Sequence, residues 1–203
     1  DLHSFPTRRS SDLHIVTTDP DSVAAAMLGK STWAVIALTC FVELFTQAHY
    51  LHSIRDDDQL SPLFKDVFYY HWVEEVQHAT LDELEWQRVH DGMSAAAVDA
   101  AVTDLIELVR MIDRILQAQA SADGEYFCSC ASVYLDRERS NAVKACLLKA
   151  YRLQYVVSGA RIERFQRALS SKLTSEQMLR VETAFAPLIA YVNHPSAVGQ
   201  ASA

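Results

Sequence analysis

Residues 71–86 read HWVEEVQHATLDELEW, and their spacing governs how the rest of the chain is to be read. His71, Glu75, His78 and Asp82 recur at intervals of four, three and four. At about 100° per residue they fall in one narrow stripe of an α-helix, with Glu74 at its edge. Glu75 and His78 form an E-x-x-H pair. Residues i and i+3 reach one ion on the same side of a helix, where the carboxylate can bridge two metals and the imidazole can cap one. Histidine and acids are also common on solvated helix faces, so the pair carries weight only with a partner elsewhere in the chain.

That partner lies upstream, in TWAVIALTCFVELF, residues 32–45. This segment is apolar on nearly every side, which predicts a helix buried all round. Glu43 within it is costly unless paired, protonated or bound to a metal. Asp56-Asp57-Asp58 reads as a solvated turn between two antiparallel helices. Reflection through Asp57 sets Glu75 opposite Thr39, about one turn from Glu43, so Glu43, Glu75 and His78 can share a layer.

Further out, scarce glycine and proline punctuate helical segments. Asp19-Pro20 opens a short lead helix that Gly29 ends, within residues 14–30. Ser31 can cap a first long helix over about 32–55. Ser61-Pro62 opens a second, stopped by Asp91-Gly92. Ser94 opens a third, with Val102, Ile106, Val109, Leu116 and Ala120 as its apolar stripe and Gly124 as a bend or end. A fourth follows Asp136–Ser140 and reaches about Ser170. Thr174–Gln177 is a capping box for a shorter fifth. No stretch alternates with period two. The expectation is an all-α bundle over residues 31–192 with a loose tail at 193–203.

Bulk properties narrow the function. The chain has 203 residues and a net charge of −8 without a basic cluster, which argues against nucleic acid as a partner. The longest apolar run, Trp33–Phe45, is too short to span a bilayer and contains Glu43, so no membrane span is expected. Cys40, Cys128, Cys130 and Cys146 make no paired C-x-x-C motifs; reduced core thiols and a cytoplasmic setting are the expectation. Residues 1–13, DLHSFPTRRSSDL, resemble a translated sequencing adapter and are set aside as non-native; a native start further upstream is expected.

Glutamate on one helix followed by E-x-x-H on the next resembles the ferritin-like di-iron carboxylate proteins. FVELFTQAHY (41–50) and HWVEEVQHATLDEL (71–84) resemble small bacterial members of that superfamily. The H-x-x-x-E-x-x-H run is also similar to the extra-histidine helix of iron-dependent arylamine N-oxygenases. The resemblance implies a ferritin-like four-helix bundle and a metal site of Glu43, Glu75 and His78, with His71 and an acid from the third helix. It also implies iron, as a di-iron or iron–manganese pair.

The second half departs from that plan. KACLLKAYRLQYVVSGARIERF (144–165) has no E-x-x-H. If the second-to-third connection crosses the bundle, the site layer falls near Gln119 and Asp123, and near Arg152, Gln154 and Tyr155. If the bundle is up-and-down, it falls at Glu107 or Asp113 and at Glu163. The first is preferred, because QAQASADGEYF (117–127) resembles the family's third helix; Asp123 is then the expected ligand, and Arg152 is placed to neutralise the carboxylates. His49 and His52 point away from Glu43 and are expected as surface or loop-edge residues. Tyr50, Tyr69, Tyr70, Trp72 and Trp86 are expected as core and rim aromatics.

Two functions are expected from this reading. One is a metalloprotein acting on O₂ or peroxide, with a small-molecule substrate and an oxidase or oxygenase activity. The other is a metal-free helical scaffold or binding module. A homodimer is compatible with either.

Overall fold

The computed structural model describes residues 15–194, and among these the chain is all helical. The adapter-like segment and most of the tail lie outside the described residues. The lead helix α1 spans Pro20–Leu28, with Asp19 accepting from the Ser22 amide. Helix α2 runs over Thr32–His49 and continues as a π-helical turn over Tyr50–Ile54. Helix α3 spans Pro62–Asp91 and α4 spans Ala95–Cys130. Helix α5 spans Arg137–Arg152 and passes through a second π turn, Leu153–Val157, into the short α6, Ser158–Ala160. Helix α7 spans Glu163–Ser170 and α8 spans Ser175–Asn193.

Local chemistry accounts for most helix starts. Ser61, Ser94 and Asp136 each accept from the amide three residues on, and Thr174 with Gln177 completes a capping box. Ser31 differs from expectation. Its side chain caps nothing, and its backbone amide instead donates to Asp104 at 2.9 Å. Gly124 does not end the third long helix. A Cβ there would lie 2.5 Å from Lys144 Cγ, so the glycine permits close approach of α5.

The direction of each helix follows from its contacts. Trp33 Nε1 donates to His90 Nδ1 at 3.2 Å, and Gln47 Nε2 donates to the Glu75 carbonyl, so α2 and α3 are antiparallel. Only Gly92–Ser94 joins α3 to α4. With Ser31 on Asp104 and Leu38 beside Leu105 and Val109, α4 runs parallel to α2. Lys144 on Glu125 and Arg152 on Asp113 set α5 antiparallel to α4. Arg180 on Asp99 and Tyr191 over Arg152 bring α8 back alongside α4. The long helices therefore run up, down, up and down, with α8 as a fifth. The crossing connection expected from the third-helix resemblance is absent, because three residues cannot return the chain along the length of a bundle.

The core lies among α2, α4, α7 and α8. Trp33 packs edge-on against Trp86 at 5.1 Å, Trp86 stacks on Phe165 at 6.1 Å, and Phe41 meets Phe165 edge-on at 5.2 Å. Helix α3 sits at the side of this arrangement. Of its thirty residues, only Ala79 and Trp86 are buried.

The unbroken helix Thr32–Ile54 is longer than the apolar run read from sequence. By length and composition it is enough to cross a membrane. Within the chain, 39% of its most apolar 18-residue stretch is buried.

Candidate metal centre

Glu43 projects from α2 into the seam with α3, where Glu75 and His78 stand one turn apart. One ligand atom from each lies within 4.8 Å of the others. His78 Nδ1 is 3.4 Å from Glu75 and 4.0 Å from Glu43 Oε2. The carboxylates are mostly buried, with 14% and 13% of the Glu43 and Glu75 side chains exposed, whereas His78 is 44% exposed. The group is therefore a seam with one open edge. His71 stands on that edge, its Nε2 3.2 Å from Glu75 Oε1.

The electrostatics are those of crowded acids. Burial pushes the Glu43 carboxyl up to about 7, and the charges of Asp82 and Glu75 add to the shift, while His78 opposes it. Asp82, one turn below His78, is raised by burial in the same way. Oε2 of Glu43 and Oδ2 of Asp82 are buried oxygens without a hydrogen-bond partner. An orphaned buried carboxylate oxygen beside a second carboxylate and an imidazole is a donor set that suits iron or manganese. Ligand–metal bonds of about 2 Å hold donors on one ion roughly 3–4 Å apart, which small side-chain rotations reach from here.

The other predicted residues lie elsewhere. Asp123 accepts from Tyr151 Oη at 2.6 Å and from Gln119 Nε2 at 2.8 Å, and it is not among the converging donors. The up-and-down course removes it, since α4 runs parallel to α2 and its level with Glu43 comes earlier than residue 123. Arg152 does not reach the carboxylates of the seam either. It holds Asp113 in two bonds of 2.7 and 2.9 Å and lies over the Tyr191 ring. Glu107 pairs with Lys30, and Glu163 pairs with Arg167 at an exposed edge. Gln119 also holds the start of the described chain, through Thr17 and the Ile15 carbonyl. Among the described residues, no acid of the second half joins the seam.

His49 lies at the end of α2. It is half-buried, its ring edge-on to Phe68 at 6.4 Å, and burial lowers its pKa. A π turn follows it, and its buried Tyr50 packs on Trp72 of α3. The sequence carries no signal for either π turn. Comparisons with protein-family models, characterised proteins and solved structures give no match.

Proposed function

We propose that the chain is a metal-binding protein of the ferritin-like type, in which Glu43, Glu75 and His78 hold iron or manganese and His71 orients Glu75. The observation that carries the reading is the buried, unpartnered Oε2 of Glu43 facing an E-x-x-H pair. A redox-active ion held there would supply electron transfer to O₂ or peroxide. The chain's own contribution is to keep two carboxylates close and desolvated, so that a cation is favoured over two separate protons. Its open edge at His71 and His78 admits a small oxidant. An oxidase or oxygenase acting on a small substrate is the corresponding activity.

A second reading is a metal-free scaffold, in which a proton shared by Glu43 and Glu75 takes the place of the ion. The engagement of Asp113 by Arg152 favours it, because the second half then supplies nothing to the seam. The test is metal analysis of the full chain expressed with added iron and manganese, beside the Glu43→Ala/His78→Ala double variant. Bound metal lost in the variant supports the centre. A folded helical protein that takes up neither ion under anaerobic ferrous loading leaves the scaffold.

A further inference from the structure

The seam holds half of a two-metal ligand set, and its open edge adjoins an apolar face that nothing among the described residues covers. Leu63, Val67, Tyr70, Leu81 and Leu84 on α3 are each between 59% and 75% exposed. At about 100° per residue they form one stripe, directly beside the edge that carries His71 and His78. The opposite edge of α3 is already occupied, since Arg164 of α7 holds Glu83 there and Lys172 holds Gln87. On α2, Val42 next to Glu43 is also exposed. Exposed apolar side chains gathered on one helix face in this way mark an interaction surface.

The stripe has a polar interruption. Glu74 and Gln77 break it at the level of Glu75 and His78, leaving apolar residues above and below. That pattern suits a face whose centre must accommodate a polar site and whose ends must exclude water. The α2–α3 pair shares a length of roughly 35 Å and a width of roughly 20 Å, close to the ~800 Å² per partner of a standard interface.

We propose that a second copy of this chain covers the face. The two copies meet about a twofold axis, so that two Glu43–Glu75–His78 groups oppose each other and share one two-metal centre. This rests on the metal reading above. A twofold contact is self-complementary, so one half-site automatically meets another. Two copies supply four carboxylates and two imidazoles on four helices, which is the set that a two-metal bundle needs: a glutamate from each of two helices and Glu-x-x-His from each of the others. It also accounts for the second half of the chain, whose acids are spent on Arg152, Lys30 and Arg167.

The test loads the full chain with Mn²⁺ and reads mass by sedimentation, metal per chain by elemental analysis, and the spin state by electron paramagnetic resonance. The expected result is a dimer with one Mn²⁺ per chain and a coupled-pair spectrum. Leu81→Glu and, independently, Tyr70→Glu place a charge on the stripe without touching a ligand. Each is expected to stay helical, become monomeric and bind Mn²⁺ about tenfold or more weakly. Glu75→Ala loses metal at the site itself. A monomeric chain that binds metal as tightly as before overturns the shared centre and leaves the metal reading standing. A dimer with isolated, uncoupled Mn²⁺ lines does the same. No uptake of Mn²⁺ or Fe²⁺ by any form removes the metal reading and the shared centre together. Binding to lipid vesicles through the stripe, in place of self-association, also overturns the proposal.

Discussion

Arg152 on α5 grips Asp113 on α4 through two nearly parallel hydrogen bonds, and this pair fixes the chemistry of the bundle's second half. Both side chains are mostly buried, at 11% and 15% exposure. A guanidinium so placed satisfies the one acid of α4 that the up-and-down course brings nearest the level of Glu43. Among the described residues, no acid of the second half is then left to join the seam between α2 and α3.

Breaking that pair should cost stability without touching the seam. Arg152→Ala leaves the Asp113 carboxylate largely desolvated and removes the cation from the Tyr191 ring. A loss of about 3 kcal/mol is expected in urea unfolding. Metal content of the folded protein should be unchanged. Loss of metal in a variant that still folds would show that Arg152 acts on the site after all.

The metal-free protein should be more stable in mild acid than in mild base. The Glu43 carboxyl releases its proton near 4.5 when unfolded and near 7 when folded. Between these values the folded chain holds the more protons, so stability falls as pH rises from about 4.5 to 7, and it stays at the lower level above. Glu43→Gln removes this carboxyl's share of the dependence and should raise the melting temperature at pH 8 by roughly 3–10 °C, equivalent to about 1–3 kcal/mol. Metal uptake shows the opposite trend, weakening below pH 7 because the ion must displace the proton. Parallel pH profiles for the parent and Glu43→Gln would count against a desolvated Glu43.

The ligands should separate by rank. Glu75→Ala and His78→Ala each remove a donor and should abolish stoichiometric binding of Mn²⁺ or Fe²⁺. His71→Ala removes only the contact that orients Glu75 Oε1, and should weaken binding about 10–100-fold. Titration of the three variants side by side tests this. Equal loss in all three would make His71 a direct ligand.

Gly159 should not tolerate a side chain. A Cβ there would stand 2.5 Å from Cζ of Phe41, a ring fixed in the core against Phe165. Gly159→Ala gains about 1 kcal/mol of helix propensity and still should destabilise by a net ~1–3 kcal/mol. Chemical unfolding measures the sign directly.

The four thiols should differ sharply in reactivity. Cys40 is fully buried, and desolvation pushes its thiol up to about 12. Cys130 and Cys146 are exposed. A disulfide-exchange reagent should label the latter two quickly and Cys40 only after unfolding. Rapid labelling of Cys40 in folded protein would mean that α2 opens far more readily than its packing implies.

The sequence by itself determined the helical class and the meeting of Glu43 with Glu75 and His78. Periodicity, Ser-Pro and Thr-x-x-Gln starts, and the stops at Gly29 and Gly92 are local signals, decided within one or two turns of chain. The juxtaposition of Glu43, Glu75 and His78 was legible for a related reason: two helices joined by a short turn have a register set by counting residues. Asp123 and Arg152 were placed wrongly, because their surroundings depend on which way α4 runs past α2. No local pattern encodes that direction. Only the tertiary structure decided that Asp113 belongs to Arg152, that the second half gives the seam no acid among the described residues, and that α3 lies at the side of the core. The physical reason is that helix direction is fixed by the summed packing of side chains far apart in the sequence, whereas a helix start or an i, i+3 pair is fixed by neighbours a turn away.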